Sequence, residues 1–128
     1  MNDASCPFCH LPSGRIVLSG AEAFVVRDGY PVSAGHSLVI PRRHIGSFFD
    51  LTAAERDCMF ELLAQAKAEL YETCRPDGFN IGINDGAVAG QTVPHLHLHL
   101  IPRYAGDADD PRGGVRWVLP AKAKYWAG

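Results

Sequence analysis

Three histidines alternate strictly with three leucines in the last third of the chain. Successive side chains of a strand point to opposite faces, so His95, His97 and His99 would share one face and the leucines the other. A helix would scatter the imidazoles, because residues two apart lie about 200° apart around its axis. Pro94 and Pro102 are expected to bound this strand, since proline is poorly tolerated inside a central strand. An ordinary solvated face rarely carries three imidazoles, so the pattern favours a chemical role over a merely amphipathic strand.

Four further apolar runs, separated by turn residues, also predict strands. They are Arg15–Leu18, Ala23–Arg27, His36–Pro41 and Phe79–Asn84. The first two are joined by residues 19–22 and predict a hairpin. Residues 113–120 are expected to be extended.

One long helix is predicted between the third and fourth of these strands. Thr52 and Glu55 form a Thr-x-x-Glu capping box at its start, and residues 75–78 carry the Pro and Gly that end it. The buried stripe follows i, i+3, i+4 spacing. It consists of Met59, Leu62, Leu63, Ala66 and Leu70. A short helical turn is expected within residues 45–50. Strands connected by hairpins around one helix predict an α+β fold with an antiparallel sheet.

Composition excludes several classes of function. The chain has 128 residues, enough for one domain with its own core, and its hydrophobic share is 47%. A net charge of −2 gives no electrostatic reason to expect nucleic acid or an anionic membrane as the main partner. The apolar runs are too short for a membrane span, and nothing resembles an export signal, so a cytoplasmic location is expected.

Cys6 and Cys9 form a Cys-x-x-Cys turn near the start of the chain. A thioredoxin-type redox pair should follow a strand, and none is predicted here. A metal-binding turn is therefore the better interpretation, and it requires two more ligands. Cys58 and Cys74 lie too far apart along the predicted helix to form a disulfide.

The three imidazoles have two chemical uses, which spacing alone does not separate. They could bind a metal, or one could attack phosphorus while its neighbours hold it in place. Gly86 and Gly90 flank a loop whose backbone could approach a phosphate. No acidic residue lies between Ala87 and Arg103, which favours an anionic substrate.

At this point a resemblance to the histidine triad (HIT) family becomes clear. Residues 89–93 and the run His95-Leu96-His97-Leu98-His99-Leu100 resemble the family motif, in which histidines alternate with apolar residues. Residues 35–41 resemble a second family segment, and the turn at Asp28 resembles its ribose-binding turn. The resemblance covers about residues 6–103.

The resemblance implies a fold and an activity. The expected fold is a five-stranded antiparallel sheet with one long and one short helix, extended across a homodimer. Residues 1–128 would form a single HIT-like domain, with 104–128 as a C-terminal extension. Family members hydrolyse or transfer nucleotides through a nucleotidyl-histidine intermediate.

The resemblance also implies roles for individual residues. His97 would be the nucleophile, His99 would support the phosphate, and His36 would lie behind them in the hydrogen-bond network. The nucleotide-binding residues would be Asp28, Asn84, Gln91, Thr92, His97 and His99. Asp28 would accept from the ribose hydroxyls, and the amides and hydroxyl would contact phosphates.

Zinc-bearing bacterial members of the family suggest the missing metal ligands. By resemblance, the set is Cys6, Cys9, His44 and His95. A Cys₂His₂ set with no free position would make the zinc structural.

The expected substrate is a dinucleoside polyphosphate or a nucleoside phosphoramidate, with adenine as the expected base, cleaved to a nucleoside monophosphate. Two alternatives remain open. One is a nucleotide-binding regulatory module with little turnover. The other is a His₃ zinc hydrolase in which His97 and His99 are ligands. The tail has no assigned role, although Trp117 and Trp126 are expected near a partner chain.

Overall fold

One antiparallel sheet of five strands and one long helix make up the fold. The computed structural model describes residues 3–128. The strands are β1 (Ile16–Ser19), β2 (Ala23–Arg27), β3 (Ser37–Pro41), β4 (Gly78–Ile83) and β5 (Leu98–Arg103), and the helix is α1 (Ala53–Thr73). The order across the sheet is β1-β2-β3-β5-β4, with every neighbouring pair antiparallel. The predicted α+β class is confirmed.

The predicted capping box begins α1. The Glu55 N–H donates to Thr52 Oγ1 at 3.1 Å, and the Thr52 N–H donates to Glu55 Oε1 at 2.8 Å. The buried stripe is also confirmed, with one member, Leu63, only partly buried. The chain leaves the helix through Cys74 and then Arg75, whose φ of 51° is positive.

The leucine face of the histidine stretch packs against α1. Leu96, Leu98 and Leu100 belong to the same core cluster as the helix stripe. Through this packing, the opposite, imidazole-bearing face is turned away from the helix.

The predicted bounds of the histidine strand are wrong. The strand begins at Leu98, so two of the three histidines precede the ladder, and Pro102 lies inside it opposite Phe79. Pro102 is tolerated because β3 pairs with β5 only as far as Leu100. The Pro102 carbonyl instead accepts from Ser33 Oγ at 2.7 Å, and the proline nitrogen, on the same side, has no ladder bond to lose.

The N-terminal segment covers part of the imidazole-bearing face. Phe8, Leu11 and Ile16 pack against a second apolar cluster on β2 and β3. This cluster comprises Phe24, Val26, Leu38 and Ile40. The Cys-x-x-Cys turn is thereby brought beside the histidines.

The prediction that residues 113–120 are extended is wrong. This part of the tail forms two short 3₁₀ helices, Gly114–Val118 and Pro120–Lys122. The Arg112 guanidinium stacks on the Trp126 ring at 4.5 Å, and Trp117 Nε1–H donates to the Arg112 carbonyl at 2.8 Å. Cation–π contacts and side-chain bonds to the backbone thus hold the tail in turns.

The predicted short helical turn is the 3₁₀ helix Phe48–Asp50, and two more 3₁₀ turns lie at Ser13–Arg15 and Ala87–Ala89. Within residues 3–128, the structure has no helix that combines the length and the apolarity needed to cross a bilayer.

Candidate active site and metal centre

The tautomer of His97 follows from one hydrogen bond. Its Nδ1 lies 2.9 Å from the carbonyl oxygen of His95. A carbonyl can only accept, so Nδ1 carries the proton and Nε2 keeps a free lone pair. His97 as a residue is 9% exposed, so little of it is open to solvent.

The tautomer of His99 follows from a chain of two bonds. The Val32 N–H donates to His36 Nδ1 at 3.1 Å, so the proton of neutral His36 is on Nε2. His36 Nε2 lies 2.9 Å from His99 Nδ1, which must therefore accept. The proton of His99 is then on Nε2. A lone pair on His97 thus lies beside a proton donor on His99, with ring centroids 5.1 Å apart.

Burial favours the neutral forms of His99 and His36. Burial, with smaller contributions from the neighbouring His97 and His36, lowers the pKa of His99 to about 4. Burial also lowers the pKa of His36, opposed by the carboxylate of Asp28. If His99 also carried a proton on Nδ1, that proton would face the one on His36 Nε2. The hydrogen bond between the two rings therefore requires His99 to be neutral as well.

The predicted nucleotide contacts occupy different positions around these rings. Asp28 Oδ2 lies 3.4 Å from His36 Nε2, while its Oδ1 accepts from the Tyr30 N–H at 2.9 Å. Asn84 lines a cavity together with His36 and His99. Thr92 is exposed at the end of the adjacent loop.

The side chain of Gln91 is fully engaged with backbone. Its Oε1 accepts from the Gly86 N–H at 2.8 Å, and its Nε2 donates to the carbonyls of Gly46 at 2.9 Å and Val93 at 3.3 Å. Both amide hydrogens are used, so none is left for a phosphate in this conformation. From the sequence, Gln91 was expected to contact a phosphate directly, and its hydrogen bonds to backbone groups were not predicted.

The loop between β4 and the histidines is also anchored by Asp85, which sequence reasoning missed. Asp85 Oδ2 accepts from Ser47 Oγ at 3.0 Å and from the Phe48 N–H at 2.9 Å. Gly86 and Gly90 have φ of 97° and 100°, values that favour glycine. An acidic residue directly before a glycine loop was the available signal for such an anchor.

Phe8 is a second residue that sequence reasoning missed. Its ring contacts His97 edge to face, with centroids 5.1 Å apart, and lies 6.0 Å from His95. Its position between Cys6 and Cys9 was visible in the sequence, but its contact across the fold was not.

The four predicted metal ligands come together. The thiol and imidazole donors of Cys6, Cys9, His44 and His95 all lie within 4.8 Å of one another. Four of these distances, from thiol to Nδ1 or between the two Nδ1 atoms, fall between 3.1 and 3.5 Å. Tetrahedral zinc with the usual N and S bond lengths requires ligand separations of about 3.3–3.8 Å. The distance between the two Nδ1 atoms, 3.1 Å, is about 0.2 Å below this range and the other three lie within it, so the donor set fits zinc.

The environment of the cluster also suits a metal. His95 Nε2 donates to the carbonyl of Pro41 at 2.8 Å, which leaves Nδ1 unprotonated and directed at the other donors. Burial lowers the pKa of His95 and raises that of Cys6, so an empty cluster would hold a neutral imidazole and a thiol. All four cysteines are free of disulfides in the described part of the chain.

Known proteins share this fold and much of this sequence. The HIT domain family model matches residues 13–106. AP-4-A phosphorylase of Mycobacterium tuberculosis is 35% identical over 109 residues, which are 80% of this chain and 56% of that protein. The asymmetrical bis(5'-nucleosyl)-tetraphosphatase of Schizosaccharomyces pombe is 42% identical over 77 residues, or 60% of this chain and 42% of that protein. The chain thus spans about half the length of these two relatives.

A solved structure extends the similarity to almost the whole chain. The zinc-bound histidine triad family protein of Mycobacterium smegmatis superposes with a TM-score of 0.73 at 32% identity. The match covers 91% of this chain and 92% of that one. On the family match, the fold and these relatives, the chain belongs to the HIT domain family.

Proposed function

We propose that the protein cleaves a nucleoside phosphate derivative at its α-phosphate and releases a nucleoside monophosphate through an intermediate on His97. The observation that carries this proposal is the complementary pair of ring nitrogens, a bare Nε2 on His97 beside an Nε2–H on His99. Nucleophilic attack on a phosphate needs a lone pair and a donor for the charged oxygens in the same place.

The proposed reaction has two displacements. His97 Nε2 attacks the α-phosphorus, and the leaving group departs with the electrons of its bond to phosphorus, taking up a proton from solvent when it leaves as an amine. His99 Nε2–H donates to a phosphate oxygen and stabilises the added charge. Water then attacks phosphorus and releases a proton to solvent, and the electrons of the N–P bond return to Nε2, which regenerates neutral His97. Asp28 would accept from the ribose hydroxyls, while Asn84 and Thr92 would donate to phosphate oxygens.

The proposed role of Gln91 differs from that of Asn84, the other side chain with an amide group near the histidines. Because its hydrogen bonds all go to backbone groups, it would hold the loop that carries Gly86 and Gly90 rather than touch the phosphate. Its effect on the reaction would be indirect.

We also propose zinc as the resident metal of the Cys₂His₂ cluster. A zinc ion there would have four protein ligands and no open position, so it would stabilise the fold without taking part in the reaction. Cys6, Cys9 and His44 would then be tied to His95, two residues from the nucleophile. Metal analysis of the purified protein should find one zinc per chain, and Cys9→Ser should lower the melting temperature. Protein without zinc, and with unchanged stability in a strong chelator, would refute the site.

Two substrate classes fit the proposal. The names of the two relatives above favour dinucleoside polyphosphates, and the name AP-4-A phosphorylase favours adenine as the base. Nucleoside phosphoramidates are the second class. We also propose that the protein is cytoplasmic and forms a homodimer. The chain would be a single domain, with residues 104–128 as its C-terminal extension. The edge strand β4 is available for such pairing, with Ile81 48% exposed. Light scattering should give twice the chain mass of 13.9 kDa.

Turnover of a small panel tests the function. Adenosine 5'-phosphoramidate and diadenosine tri- and tetraphosphate should be hydrolysed to AMP and the respective second product. His97→Asn should bind the same compounds without hydrolysing them. Binding without turnover by the wild-type protein would instead support the regulatory-module alternative.

A further inference from the structure

The two histidines of the metal cluster differ in what faces their second ring nitrogen. His44 and His95 both direct Nδ1 into the cluster, where these two atoms lie 3.1 Å apart. A neutral imidazole that binds a metal through Nδ1 carries its proton on Nε2, and that proton needs an acceptor. For His95 the acceptor is the carbonyl of Pro41, at 2.8 Å. For His44, Nε2 faces the carboxylate of Asp3, whose Oδ2 lies 3.8 Å away.

The carboxylate of Asp3 is held in place by the chain that follows it. Its Oδ1 accepts from the Ser5 N–H at 2.9 Å and from Ser5 Oγ at 2.8 Å. Because Oδ1 is engaged in this way, Oδ2 is the oxygen directed at His44. A separation of 3.8 Å is longer than a hydrogen bond, so the contact in this structure is electrostatic. The Asp3 side chain is 47% exposed, and a small rotation of it would bring Oδ2 within hydrogen-bond distance.

The backbone of Asp3 is bonded to the Cys-x-x-Cys turn at both cysteines. Its N–H donates to Cys9 Sγ at 3.4 Å, and its carbonyl accepts from the Cys6 N–H at 3.1 Å. The same carbonyl accepts from His10 Nε2 at 3.0 Å. Residues 3–10 therefore form a closed turn that fixes Asp3 relative to both thiols. An N–H that donates to sulfur also stabilises the thiolate form, which is the form that binds a metal.

This turn reaches the proposed nucleophile as well. Phe8 lies between the two cysteines, and its ring contacts that of His97 with centroids 5.1 Å apart. The strength of the metal centre therefore bears on how firmly a neighbour of His97 is held.

We propose that Asp3 is a positioning residue of the metal centre, whose carboxylate accepts from His44 Nε2–H and whose N–H donates to Cys9 Sγ. The assignment rests on the proposed zinc site. Asp3 lies outside the set of four donors that come within 4.8 Å of one another, so it acts through two ligands rather than as a fifth. It orients the ring of His44 and stabilises the charge on the Cys9 sulfur, which makes zinc binding tighter.

The zinc affinity of the full-length protein tests this assignment without reference to turnover. Metal-free wild type, Asp3→Ala, Asp3→Asn and Asp109→Ala are titrated with zinc in competition with a chromophoric chelator at constant pH. Asp109 is exposed in the loop after β5 and lies outside the cluster, so its replacement controls for the loss of one negative charge. Cobalt(II) is then bound to each protein, because its absorption bands report the number and type of the ligands.

We expect Asp3→Ala to bind zinc about tenfold less tightly than the wild type. This is the lower end of the effect of removing the partner of a metal-bound histidine, because water partly screens the half-exposed carboxylate. Asp3→Asn keeps an acceptor but loses the charge, so its affinity should lie between the two. Asp109→Ala should bind as the wild type does. The cobalt spectrum should be the same in all four proteins, since the two sulfur and two nitrogen ligands are unchanged.

Thermal unfolding separates positioning from a merely structural role. Asp3→Ala should melt at a lower temperature than the wild type in excess zinc, and at the same temperature in a strong chelator. Equal zinc affinities of Asp3→Ala and Asp109→Ala would overturn the assignment while leaving the zinc site intact. Equal losses of melting temperature with and without zinc, or a changed cobalt spectrum in Asp3→Ala, would do the same. A wild-type protein that binds no zinc would overturn the site and this assignment together.

Discussion

The chemistry of the site depends on which ring nitrogen of each histidine carries the proton. Three backbone groups decide this: the carbonyl of Pro41 for His95, the carbonyl of His95 for His97, and the N–H of Val32 for His36. Backbone groups do not titrate, so they hold each tautomer over a wide pH range. His99 takes its tautomer from His36, which makes it the member of the chain most sensitive to protonation.

The first prediction at this scale concerns the pKa of His99. It should titrate near pH 4 rather than near the usual value of 6.5, because burial disfavours the charged ring. The folded state then binds this proton less well than the unfolded state. Its contribution to stability is complete above about pH 6.5 and is lost as the pH falls towards 4.

An NMR titration of the imidazole carbon signals measures this pKa directly. The assignment comes from the signal missing in His99→Asn. A His99 signal that titrates at or above pH 6.5 in the folded protein would contradict the neutral hydrogen-bond chain.

The second prediction distinguishes two roles of Gln91. If it holds the loop, Gln91→Ala should lower the free energy of unfolding by about 1 kcal/mol and speed hydrogen exchange of the Gly86 amide. Asn84→Ala provides the contrast. Because Asn84 lines the cavity beside His99, its loss should weaken binding of AMP with little effect on that amide. Unchanged Gly86 exchange in Gln91→Ala, with weakened AMP binding, would show a direct phosphate contact instead.

At the scale of elements, an ion pair between the exposed Arg43 and the buried Glu55 connects the start of α1 to the loop that carries His44. Arg43 donates to both carboxylate oxygens of Glu55, at 2.9 and 2.8 Å. Glu55 is only 3% exposed and also completes the capping box. One carboxylate therefore positions both the helix and the residue next to a proposed zinc ligand.

The third prediction follows from this pair. Hydrogen bonds to Arg43 lower the pKa of Glu55 to about 2, against an opposing effect of burial. The contribution of the carboxylate to stability should be present above its ordinary pKa of 4.5 and be lost as the pH falls towards 2. Glu55→Gln keeps a cap acceptor but loses the charge, so it should cost about 1.5–3 kcal/mol at pH 7.

Urea unfolding at several pH values measures this effect, with Glu61→Gln, an exposed position on the same helix, as the control. A Glu55→Gln variant as stable as Glu61→Gln at pH 7 would show that the pair contributes nothing.

Elements specified by local signals could be predicted from the sequence, and those specified by distant contacts could not. The capping box and the apolar spacing of α1 lie within one segment, so its start and buried face were predictable. Pro102 was assigned wrongly because its acceptance into β5 depends on Ser33, far away in the sequence. The tail was assigned wrongly because Arg112 and Trp126 stack only once the turns have formed.

At the scale of the whole molecule, sheet order brings the site together. β5 inserts between β3 and β4, and this placement sets His99 beside His36 at the start of β3. Alternation of histidine and leucine predicted the shared face, and the family resemblance predicted which residues would converge. Neither could predict that Phe8 contacts His97 or that Gln91 is engaged with backbone, since both depend on how separate segments pack.

The central claim is that His97 becomes covalently attached to the nucleotide. The most direct measurement is to mix the protein with a radiolabelled adenosine substrate, quench in base and map the labelled peptide. A phosphorus–nitrogen bond to imidazole survives base and is lost in acid. We expect an acid-labile label on the peptide that contains His97. The His97→Asn variant should bind nucleotide but lose turnover by on the order of 10⁴-fold or more, since no neighbour replaces the attacking nitrogen. Turnover of that variant near the wild-type rate, with no label on His97 in the wild-type protein, would contradict the account.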